Sequence, residues 1–124
     1  MTGFAITGSK GFHITFKNGV TVSVQFGGGS YCQNHDNLGL IGKEHELKVL
    51  ESVNAEVAIW GKGGAWITKE FCPNSNDDVL GWQTPEQVLE ALNWANQLKE
   101  SLDELCSKEN GIATDDKWGG RRDC

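Results

Sequence analysis

The sequence predicts an α+β domain: an antiparallel sheet of four to five strands, built from two hairpins and packed by one long C-terminal amphipathic helix. Three observations predict it. Two runs alternating apolar and polar residues flank Asn18-Gly19, a second pair of runs flanks Gly61-Lys62-Gly63-Gly64, and the stretch after Thr84-Pro85 repeats apolar residues at three- and four-residue steps. Period two marks half-buried strands, and period 3.6 marks a helix with one apolar face. A sheet and one covering helix bury each other's apolar sides.

The first hairpin can be assigned a register. Phe12, Ile14 and Phe16 alternate with His13, Thr15 and Lys17, and Val20, Val22, Val24 and Phe26 alternate with Thr21, Ser23 and Gln25. A two-residue turn at Asn18-Gly19 would pair Ile14 with Ser23 and mix both faces. A three-residue loop of Lys17, Asn18 and Gly19 pairs Phe16 with Val20, Ile14 with Val22 and Phe12 with Val24. One face then becomes wholly apolar, with Gly19 in the left-handed position of a bulged turn. Gly3–Gly8 reads as a short preceding strand.

Gly27-Gly28-Gly29-Ser30 ends the third run, and residues 31–46 form a long polar loop. The second hairpin is expected to pair Ser52–Trp60 with Ala65–Glu70, and residues 72–78 (Cys-Pro-Asn-Ser-Asn-Asp-Asp) break regular structure. Thr84-Pro85-Glu86-Gln87 is a helix start: threonine cap, proline in the first turn, and Gln87 closing a capping box. Val88, Ala91, Leu92, Ala95, Leu98, Leu102 and Leu105 then form one stripe to about Cys106. Leu89 and Trp94 lie off it, either widening the buried face or offering a contact for a homodimer. The reading is one domain over 1–106 with a polar, flexible tail over 107–124.

Composition excludes several classes of function. The chain has 124 residues and a net charge of −6, which disfavours direct, non-specific binding to nucleic acid. No apolar run is long enough to span a bilayer, and Met1–Val20 lacks a secretory pattern, so the expectation is a cytoplasmic protein with free cysteines. The charge is concentrated: residues 1–70 and 107–124 are each neutral, and 71–106 carry one basic and seven acidic side chains.

Candidate chemistry is sparse. Cys32 and His35 have a metal-ligand gap that Cys72, His45 or Cys106 would have to complete, but no second paired half-site exists, so no metal or cofactor is expected. A Cys–His nucleophile drawn from Cys32, His35, His13 or His45 lacks any signature of placement, and no catalytic residue is assigned. Neither glycine run opens a helix, as a phosphate loop would. Tyr31, Trp60, Trp66 and Trp82 are the candidate lining of a small-ligand pocket. The feature weighted most is the acidic helix face of Glu90, Glu100, Asp103 and Glu104. The last three sit where the helix dipole disfavours acids, an arrangement suited to a basic partner surface.

The run Gly11-Phe-His-Ile-Thr-Phe-Lys-Asn-Gly-Val-Thr-Val-Ser-Val-Gln-Phe-Gly27, with Tyr31-Cys32, Ala55–Trp60 and Val79–Leu89, resembles small uncharacterised proteins encoded by bacteriophages and prophages. The resemblance covers residues 11–95 and carries no catalytic residue over. It implies a phage-type protein acting in the host cytoplasm. The expected function is a non-catalytic inhibitor, docking its acidic helix on a basic host-defence protein in the manner of an anti-CRISPR protein. The alternatives are a sponge for a nucleotide signal or other small ligand, and a small virion structural or assembly protein.

Overall fold

The computed structural model describes residues 2–99. Five strands, β1 (Gly3–Ile6), β2 (Gly11–Thr15), β3 (Thr21–Gln25), β4 (Ala55–Trp60) and β5 (Val79–Gln83), form one antiparallel sheet in sequence order. Two α-helices, α1 (Thr68–Phe71) and α2 (Pro85–Gln97), and two single-turn 3-10 helices, Leu38–Leu40 and Glu44–Glu46, complete the described part. The fold class is α+β.

The first hairpin has the expected register. Phe12 pairs with Val24 and Ile14 with Val22, and the Phe16 N–H donates to Val20 O at 2.9 Å. Gly19 closes the turn at φ 89°, a conformation glycine adopts without a Cβ clash. Val20, Val22 and Val24 are thereby aligned on one face and buried with Val57, Ile59 and Leu80. Ala91 and Ala95 of α2 press onto that face, and their small side chains let the helix lie close to the sheet.

The second hairpin differs from expectation. Ala65–Glu70 does not pair with β4 as a strand: it makes a single bridge, Trp66 to Trp60, and then turns into α1. The cause is Thr68, fully buried, whose Oγ1 accepts from Ile59 N at 3.0 Å and donates to Ile59 O at 3.2 Å. A side chain replaces the next ladder bonds, so the backbone is free to coil. The partner of β4 is Val79–Gln83 instead.

Helix α2 begins as expected. Thr84 Oγ1 accepts from Gln87 N at 3.2 Å, and the Thr84 N–H donates to Gln87 Oε1 at 2.8 Å. Its end comes earlier than the periodicity indicates, at Gln97, giving about 20 Å at ~1.5 Å per residue. Leu98 is already extended, with ψ 132°. Asn18, at the tip of the first hairpin, donates through Nδ2 to Ala95 O at 2.8 Å and Leu98 O at 2.7 Å, while its Oδ1 accepts from Val20 N. One side chain therefore caps the helix C-terminus and ties it to the sheet. Leu102, Leu105 and the tail 107–124 lie outside the described residues.

Of the two off-stripe residues, Trp94 packs on Phe71 at 5.2 Å between ring centroids and widens the buried face. Leu89 is exposed. Among the described residues the helix covers the middle of the sheet and nothing covers the β1 edge. Phe4 pairs with Ile14 and Ile6 with Phe12, so both share the apolar face, yet they are 76% and 81% exposed.

Asn18→Asp removes both donors and sets a carboxylate against two helix carbonyls. It is expected to cost about 2 kcal/mol, and Asn18→Ala less, as measured by urea unfolding.

Candidate binding surface

The loop between β3 and β4 is held in place by side chains. Glu44 is buried: its Oε2 accepts from Gly28 N and its Oε1 from Gly42 N, each at 3.1 Å. Burial alone would push its carboxyl upward, but the N–H groups of Glu44, Gly28 and Gly42, with the charge of Lys10, hold it below the usual glutamate value. Asn34 Nδ2 donates to Phe26 O and Glu51 O, and Gln33 is fastened to Val53 and Asn54. A segment that reads as an open polar loop is thus anchored at both ends, and it presents Tyr31 and His35 at a fixed place.

Trp82 is brought to the same place by a bulge. Ala55 pairs with Gln83 and Val57 with Leu80, so Glu56 of β4 opposes two residues, Gly81 and Trp82. Trp82 takes φ 51°, a left-handed conformation that costs an L-residue with a bulky side chain roughly 1–2 kcal/mol. Bulges bend a strand and re-aim its side chains. Here the Trp82 N–H donates to Tyr31 O at 2.8 Å, and the indole stacks on the Tyr31 ring at 5.7 Å and 18°. His35 stands 5.3 Å from Tyr31 and 6.1 Å from Trp82. A Cβ on Gly81 would lie 2.8 Å from Tyr31 Cβ, so only glycine allows this approach.

Two carboxylates border the rings. Asp36 Oδ1 lies 2.9 Å from His35 Nδ1, and Glu56 Oε2 accepts from Tyr31 N at 3.2 Å. Neither His35 nor Glu56 was singled out together with Tyr31 and Trp82 by sequence alone. The pairing depends on the bulge and on the folded loop, and the one sequence hint is the nearness of His35 to Tyr31.

The four aromatics expected to line one pocket fall into two clusters. Trp60 contacts Trp66 at 5.4 Å and His13 at 5.0 Å, edge to face in both cases. Trp60 lies four residues along β4 from Glu56, about 13 Å at ~3.3 Å per residue, so Trp60 and Trp66 do not join Tyr31 and Trp82. Burial draws the His13 imidazole below its ordinary pKa, which keeps it neutral against the indole. An open cavity of about 680 Å³ lies between the sheet, residues 50–55 and the start of α2, with Phe12, Phe26 and Val88 among its walls.

The acidic residues of the expected docking face are placed only in part. Glu90 lies on the exposed side of α2, whereas Glu100, Asp103 and Glu104 lie outside the described residues. Among the described residues no group of three metal-ligating side chains occurs. Cys32 is a buried free thiol. Cys72 is disulfide-bonded, which corrects the expectation of four free thiols. No described helix is long and apolar enough to cross a membrane.

Comparison with protein-family models, with curated proteins and with solved structures finds no match to this chain.

Glu44 has a lowered folded pKa, so its contribution is complete above the ordinary value of 4.5 and is lost as pH falls through the folded value. Glu44→Gln is therefore expected to flatten the acid limb of stability against pH. Glu44→Ala, which orphans the Gly28 and Gly42 N–H groups, should cost on the order of 1–2 kcal/mol at neutral pH. Denaturant titrations at stepped pH check both.

Proposed function

We propose that the protein is a non-catalytic, phage-type binding protein that docks an acidic surface on a basic surface of a host protein, inhibiting a defence factor in the host cytoplasm. One observation carries the reading: no Lys, Arg or His occurs between Lys69 and Lys99, while Glu70, Asp77, Asp78, Glu86 and Glu90 fall within that span. The acids Glu100, Asp103 and Glu104 extend the same run. Opposite charge of this kind raises the association rate and selects the partner.

The second reading, a sponge for a nucleotide signal or another small ligand, draws on the Tyr31, His35 and Trp82 rings. The carboxylates of Asp36 and Glu56 beside those rings repel phosphate, which favours the protein partner.

The test is capture from the natural host by tagged protein at low and high salt, beside the Glu100→Lys, Asp103→Lys, Glu104→Lys triple variant. Capture should fall about tenfold or more with salt, and the triple variant should lose it while keeping its melting temperature. Undiminished capture by the variant contradicts the acidic-face mechanism.

A further inference from the structure

We infer that the Tyr31–His35–Trp82 ring cluster is a receptor for an arginine guanidinium on the partner, the specificity element of the docking reading proposed above and resting on it. The rings do not form a closed column. Their centroids make a triangle of 5.3, 5.7 and 6.1 Å, whereas in a column the outer two would stand about twice as far apart. The cluster is therefore a platform with open faces, and Tyr31 and Trp82 remain 43% and 53% exposed.

The platform is built at a cost to the backbone. Trp82 occupies a left-handed position that glycine would fill without strain, and the neighbouring residue is already glycine. A packing role does not explain a strained tryptophan that stays half in solvent. Strain of this sort collects where a side chain must be held for contact.

The charges select the ligand. The two acidic side chains that bond to the cluster are Asp36, on His35, and Glu56, on the Tyr31 N–H. A cation fits such a rim and a phosphate does not. Between the two cationic side chains, a planar guanidinium stacks on indole and phenol faces and still offers N–H groups sideways to a carboxylate. An ammonium offers a point charge and no face.

The test compares a short Gly/Arg peptide with a Gly/Lys peptide of equal length and charge, binding to the full chain, followed by calorimetry and by the indole N–H resonance of Trp82. The Arg peptide should bind about three- to tenfold more tightly and shift the Trp82 resonance. Trp82→Gly and Tyr31→Ala should bring the ratio to one, while Tyr31→Phe, which keeps the ring, should preserve it. Trp82→Gly relieves the left-handed strain, so its retained melting temperature shows that the fold is intact. Equal binding of the two peptides to the native chain overturns the inference. So does an Arg preference that survives Trp82→Gly, or no binding of either peptide at millimolar concentration. The Glu100, Asp103 and Glu104 reversal tests the parent reading separately: it lowers both affinities if that reading holds and neither if it fails, and the Arg/Lys ratio is unmoved in both cases.

Discussion

One extra residue in β5 fixes much of this molecule. Gly81 and Trp82 together oppose Glu56, and only two residues later Thr84 caps α2. The bulge thus sets the direction in which the chain enters the helix that covers the sheet. The same bend turns Trp82 away from the core and onto Tyr31. At the far end, Asn18 closes the arrangement by holding the last carbonyls of α2 against the hairpin tip. Helix placement and ring placement are two consequences of one irregularity, which couples the fold to the surface it displays.

Coverage of the sheet is incomplete for a simple geometric reason. A helix of thirteen residues overlies β3, β4 and β5 but is too narrow to reach β1. Phe4 and Ile6 therefore project from the apolar face without cover among the described residues, on an edge strand that has no charge to discourage pairing. The molecule thus presents an apolar edge at β1 and an aromatic, acid-rimmed surface at β5, on opposite sides of one sheet.

Local rules made the first hairpin and the start of α2 legible in the sequence. Face consistency alone chose the bulged turn over the two-residue turn, and Thr84-Pro85-Glu86-Gln87 carries its own capping bonds. The end of α2 was not legible, because its cap comes from Asn18, seventy-seven residues before Ala95. Strand β5 was hidden by Gly81 and by the bulge, which break the period-two pattern, and Ala65–Glu70 read as a strand because the Thr68 bonds to Ile59 leave no periodic trace. At the candidate site, composition pointed to Tyr31 and Trp82. Their union with His35, and the separate grouping of Trp60 and Trp66, follow from long-range placement that no local pattern encodes.

The cation-free stretch of sequence contributes Trp82 to the aromatic platform, whose other two rings, Tyr31 and His35, come from the loop after β3. Backbone amide mapping of the full chain during titration with a cationic Gly/Arg peptide tests the functional account most directly. It predicts shifts concentrated in residues 31–36, 56 and 77–90, with β1 silent. Shifts centred on Phe4, Ile6 and the β1 edge, with residues 77–90 unmoved, would contradict it.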